Sequence, residues 1–180
     1  MAHLTNAPPI TTLPPEILAI IFAAATPPTR SKYAIPWEVT VSRVCARWRT
    51  VALDTALMWT NIEIYSGLCL DRVSSYLKRS DPCLVDIWFD LWQTDKDNFW
   101  DGPGWVDPLI DLIIHHIGRW RRLLVFAYYK STTKAILSKI AHLEAPMFQR
   151  VRVVDEGESS WEEVAPWIGP ILAGGVPSLI

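Results

Sequence analysis

Residues 13–25 read as a helix with two apolar faces, and a small module can bury only one of them. Leu13-Pro14-Pro15-Glu16 places prolines where a first helical turn tolerates a missing N–H, and an acid where the helix dipole favours negative charge. Ile17, Ile20, Ile21 and Ala24 then form one apolar stripe, and Leu18, Phe22 and Ala25 form a second on the neighbouring face. Thr26, Pro27 and Pro28, followed by Pro36, break this pattern, so residues 26–36 are expected to be a loop. From Trp37 the apolar spacing returns through Val41, Val44, Cys45, Trp48, Val51 and Ala52, which predicts a single amphipathic helix carrying Arg43 and Arg47 on another side. Near Asp54 it gives way to Leu57, Trp59 and Ile62, read as a packing clasp. A module of about 50 residues buries too little surface to use both stripes of its first helix. Either the remaining chain covers the surplus stripe, or the stripe is a helix-in-groove docking site for a partner.

The remaining sequence properties narrow the class. The chain has 180 residues, of which 50% are hydrophobic and 20% charged, with 8 glycines and 14 prolines, a composition that fits a folded protein rather than disorder or a fibrous repeat. Seventeen basic against nineteen acidic side chains leave a formal charge of -2, which argues against nucleic acid as a partner. The longest apolar run, Ile17 to Ala25, is far short of the roughly 20 residues that span a bilayer, and the N-terminus has no basic-then-apolar leader. No membrane association is expected, and the expected location is intracellular, in the cytoplasm or nucleus. Cys45, Cys69 and Cys83 are odd in number and widely spaced, which favours reduced thiols over a disulfide framework or a zinc site.

Four blocks in the first third carry a resemblance. Leu13-Pro14-Pro15-Glu16-Ile17-Leu18, the pair Ile21-Phe22, the run Val44-Cys45-Ala46-Arg47-Trp48-Arg49, and Leu57-Met58-Trp59 follow one another as the blocks of the F-box motif do. The segment resembles the F-box, in the version abundant among fungal F-box-like proteins. The chain departs from the pattern between Phe22 and Val44, where a longer, proline-interrupted stretch with Tyr33, Ile35 and Trp37 as its apolar candidates stands in place of a short Leu-rich helix. The resemblance implies a substrate receptor of an SCF-type ubiquitin ligase that docks on a Skp-family adaptor and, through it, on a cullin. It implies that Leu13, Pro14, Pro15, Glu16, Ile17, Leu18, Ile21, Phe22, Val44, Cys45, Trp48, Leu57 and Trp59 build or present the adaptor-binding surface. The alternative is a non-catalytic scaffold or interaction protein whose F-box-like segment does not engage a ligase.

Beyond Ser66-Gly67 helical and strand-like pieces alternate, and a boundary is expected there. Leu70, Val73 and Leu77 predict a helix and Cys83–Phe89 a strand; Leu109, Leu112, Ile113 and Ile117 predict a helix that stops near Gly118, and Leu123–Phe126 a strand. Ala135, Ile136, Ile140 and Leu143 predict another helix and Val151–Val154 another strand, while Val164, Trp167, Ile168, Ile171 and Leu172 start one more helix. Recurring units of this kind resemble degenerate leucine-rich repeats. Segments similar to Tyr76-Leu77-Lys78-Arg79-Ser80 and Leu143-Glu144-Ala145-Pro146-Met147-Phe148 recur at such positions in fungal F-box-like proteins. The expected organisation is a flexible lead-in over 1–11, an all-α helical module over 12–65, and an irregular α/β repeat-like region over 66–180. The apolar ending at Leu179-Ile180 supplies no polar cap, so a truncated solenoid is expected. The fold class is therefore α/β overall.

Catalytic chemistry finds little support. His115-His116 with Asp111 lack a third and fourth ligand at suitable spacing and read as a solvated helix face. The acidic loop 95–102 fails the calcium-loop template, which needs Gly and Glu where Trp100 and Val106 stand. Arg119, Arg121 and Arg122 around Trp120 read as the solvated start of a strand rather than an anion site. No nucleophile elbow or phosphate loop is present, so neither enzymatic activity nor a cofactor is expected. Of the ten tryptophans, Trp92, Trp100 and Trp105 are candidates for contact with a protein substrate, because Trp is enriched at interface hot spots.

Overall fold

The computed structural model describes residue 10 and residues 12–27, 34–65, 70–91, 106–127 and 130–155. The chain divides into two compact units, Met1–Met58 and Trp59–Ile180. The first is helical and the second holds a parallel sheet with helices, which makes the whole α/β, as expected. Among the described residues no helix is long and apolar enough to cross a membrane.

In the first unit α1 spans Pro15–Ala24. Pro14 caps it with an extended backbone (ψ 149°), and its carbonyl accepts from the N–H groups of both Ile17 and Leu18 at 3.1 Å, satisfying donors that a helix start leaves orphaned. Pro15 sits in the first turn, where its missing donor costs nothing, and Glu16 meets the positive end of the dipole. The predicted helix from Trp37 is instead two: α2, Trp37–Ser42, and α3, Ala46–Asp54. The β-branched run Val39, Thr40, Val41 weakens the helix, and the Thr40 and Ser42 hydroxyls donate back to the carbonyls of Pro36 (3.2 Å) and Val39 (2.8 Å). Cys45 is fully extended (φ -157°, ψ 171°) and restarts the helix as its cap, while Arg49 Nε donates to the freed Ser42 carbonyl at 3.0 Å. The break explains why Val44, although on the predicted apolar stripe, is 57% exposed.

This unit closes on Leu18, Phe22, Val41, Val51, Ala52 and Met58, all buried. The Phe22 ring lies tilted against Trp48, with centroids 4.8 Å apart. Trp37 Nε1 donates to the Phe22 carbonyl at 2.9 Å, so α2 begins tied to α1.

In the second unit β1 (Asn61–Tyr65), β2 (Val85–Leu91), β3 (Trp120–Ala127) and β4 (Arg150–Asp155) form a parallel sheet in the order β1-β2-β3-β4. They are joined in sequence by α4 (Leu70–Arg79), α5 (Val106–Ile114) and α6 (Lys130–Ile140). α4 packs on β1 and α5, and α5 packs on α6, which lies on β3 and β4; the helices thus form one layer. β1 is additional to the expected strands, and Ile62 belongs to it. The register sets Ile62, Ile87, Leu123 and Val151 in one row and Ile64, Phe89, Val125 and Val153 in the next, the apolar face of a period-two strand. Trp59 is buried against Tyr76 of α4 in an edge contact of 5.1 Å, with the Arg79 guanidinium 4.5 Å over its ring.

Of the arginines around Trp120, Arg119 and Arg121 are joints rather than a solvated strand start, while Arg122 is exposed as expected. Arg119 donates to the carbonyls of Leu77 and Cys83, both at 2.9 Å, and lies 3.5 Å from Asp81, clamping the α4–β2 turn to the turn before β3. Arg121 forks onto the buried Asp86 carboxylate at 2.9 and 2.7 Å, which holds the guanidinium even further above neutrality than usual. His116 Nδ1 is the acceptor for Arg119 Nη2 at 3.2 Å. Burial and then the neighbouring Arg119 charge lower the His116 pKa, with Asp81 opposing and His115 assisting. A group whose folded pKa lies below its unfolded value stabilises the fold above the unfolded pKa, and that contribution is lost as pH falls toward the folded one. The melting temperature is therefore expected to drop from about pH 7 to about pH 5. His116→Gln should flatten that slope, and an unchanged slope would remove His116 as its cause.

Candidate docking surface

α1 faces two ways. Leu18 and Phe22 point into the unit at 0% and 1% exposure, whereas Ile17, Ile20 and Ile21 stand 43%, 65% and 40% exposed. Of the two stripes visible in the sequence, the one containing Leu18 and Phe22 is the core stripe, and the isoleucine stripe is left to solvent. Exposing three β-branched aliphatic side chains on fewer than two turns forgoes burial worth about 1.5–3 kcal/mol each. The start of this surface is tied down. Pro14 and Pro15 fix the helix start, and the Arg47 guanidinium of α3 donates to the Leu13 carbonyl.

The other predicted site residues fall on both sides of the surface. Pro14, Pro15, Glu16, Val44, Cys45 and Leu57 are exposed, Leu57 at 62%, and Leu13 and Trp48 are partly covered. Leu18, Phe22 and Trp59 are buried, so in this conformation they build the units rather than present a face to a partner. Ile20 is the most exposed large hydrophobic residue of α1 and is not among the predicted site positions, although its place in the Ile17, Ile21, Ala24 stripe marks it. Trp92, Trp100 and Trp105, the predicted substrate contacts, lie outside the described residues. So do the calcium-like loop at 95–102, most of the loop at 26–36 and the expected helix at 164–172. Among the described residues no group of His, Cys, Asp and Glu is placed to hold a metal ion.

The first unit thus carries an exposed isoleucine stripe on a proline-capped helix. Residues 10–65 match the F-box-like family. No curated protein and no solved structure matches the chain. The F-box-like segment includes all three helices of the first unit and runs on through β1. Such a segment points to a protein-interaction role or that of a ubiquitin-ligase adaptor, and F-box domains generally bind Skp-family adaptors. The geometry agrees chemically, since an exposed apolar helix face is a surface for another protein.

Proposed function

We propose that the chain is a substrate receptor of an SCF-type ubiquitin ligase. The exposed face of α1 docks on a Skp-family adaptor and thereby on a cullin, and the sheet unit, read as degenerate leucine-rich repeats of the fungal F-box-like type, holds a protein substrate. The chain itself catalyses nothing and needs no cofactor; it works in the cytoplasm or nucleus. The observation that carries this reading is the outward turn of Ile17, Ile20 and Ile21 within an F-box-like segment whose own core is filled by Leu18 and Phe22. Burying three such side chains in a partner supplies several kcal/mol, enough to set affinity over orders of magnitude.

The test is co-expression with a Skp-family adaptor followed by size-exclusion chromatography. A one-to-one complex is expected for the natural sequence, and none for Ile17→Glu with Ile20→Glu. These positions are exposed, so the double variant should keep the helical circular dichroism of the parent. A folded parent that elutes alone would overturn the receptor reading in favour of a scaffold.

A further inference from the structure

Opposite its helix layer the sheet has a second face, on which Arg122, Arg150 and Arg152 are exposed while Asp86 and Leu124 are buried. Across it the register aligns Asn61, Asp86, Arg122 and Arg150, then Glu63, Trp88, Leu124 and Arg152, then Tyr65, Asp90, Phe126 and Val154. Two of the carboxylates toward β1, Glu63 and Asp86, are engaged within the fold. Glu63 accepts from the Tyr65 hydroxyl, and Asp86 holds the Arg121 fork. Arg122 reaches Asp86 only at 3.9 Å, and its side chain is 46% exposed. Arg122 is the direct register partner of Arg150, and Arg152 follows on the same face of β4 with its guanidinium 5.9 Å from the Phe126 ring. Arg150 and Arg152 are both exposed. Like charges side by side on neighbouring strands repel, and this face of β3 and β4 contributes no carboxylate to offset them.

We infer that the β3–β4 half of this face, with Trp88 of β2 beside it, binds an extended acidic segment of a partner protein, its carboxylates over Arg122, Arg150 and Arg152 and an aromatic or aliphatic side chain on the half-buried Trp88 and Phe126. Same-side residues of an extended peptide repeat at about 6.6–7 Å, the same interval that separates Arg150 from Arg152 along their strand. Guanidinium forks match carboxylates in pairs of parallel hydrogen bonds. Asp90, on the β2 side of Phe126, would repel a polyanion that continued across the sheet, which favours a short acidic peptide over nucleic acid. The inference deepens the receptor reading by naming the chemistry of the substrate segment.

The test uses the full chain and a fluorescein-labelled ten-residue peptide of alternating Glu and Leu, with a Lys and Leu counterpart, followed by fluorescence anisotropy. The acidic peptide should bind at least about tenfold more tightly, and Arg122→Glu with Arg152→Glu should cost at least about tenfold. Lys78→Glu, an exposed reversal on α4, should leave binding unchanged. Arg122→Gln with Arg152→Gln removes the charge without reversing it and serves should the reversed pair fail to fold. Equal binding of the two peptides, or equal loss in Lys78→Glu, would overturn the inference. Adaptor co-elution measured on the same samples separates the two proposals. Peptide preference without an adaptor complex would leave this surface standing and remove the ligase, and the converse would do the opposite.

Discussion

Phe22→Ala is expected to abolish the folded state of the first unit. The ring is 1% exposed and rests on Trp48, and truncating a buried phenylalanine costs about 3–5 kcal/mol through lost burial and the cavity left behind. A unit of this size rarely has more than about 3–5 kcal/mol to lose. Amide hydrogen exchange by mass spectrometry should show protection vanish over residues 15–54 in the variant. Undiminished protection there would mean that Phe22 is not the centre of that core. The result also governs how docking experiments are read. A Phe22 variant loses a partner because α1 melts, whereas an Ile20 variant loses it with α1 intact, and only the second reports on the surface.

Trp120→Ala should destabilise the sheet unit by about 3–5 kcal/mol, because the side chain is fully buried between the start of β3 and the end of α5. Its indole N–H donates to the Ile113 carbonyl at 3.2 Å, but that carbonyl also accepts the His116 N–H at 3.0 Å. Trp120→Phe therefore leaves no orphaned acceptor and should cost less than half as much. Urea unfolding followed by far-ultraviolet circular dichroism distinguishes the two. Equal losses would mean that the hydrogen bond, not the ring volume, is what Trp120 contributes.

What could be read from the residues alone was the period of each segment, and what could not was the identity of its neighbours. The two stripes of α1 were plain at helical spacing, but nothing in Leu18 against Ile17 says which meets Trp48. The break at Cys45 was hidden because Val41, Val44, Cys45 and Trp48 keep helical spacing across it; the competition came from Thr40 and Ser42 hydroxyls, a local effect that hydrophobic periodicity ignores. β1 is hard to read from sequence because Asn61-Ile62-Glu63-Ile64-Tyr65 is short and lies one residue beyond the Leu57–Trp59 block, although its alternation is that of a half-buried strand. Arg119 and Arg121 looked solvated because their partners lie 35 to 42 residues earlier in the chain. The arginines of the open face were visible singly; only the pairing of β3 with β4 sets Arg122 beside Arg150.

The order β1-β2-β3-β4 has a consequence for synthesis. Each strand pairs with the one made just before it, so the spatial sequence of the sheet is its temporal sequence on the ribosome. β1 and β2 can join before β3 has been translated, with α4 already in place to shield their apolar side, and no strand waits for a partner from the far end of the chain. Parallel pairing usually delays folding until distant segments meet. Here one described α-helix lies between each strand and its partner, and each new strand covers the edge that the last one left open.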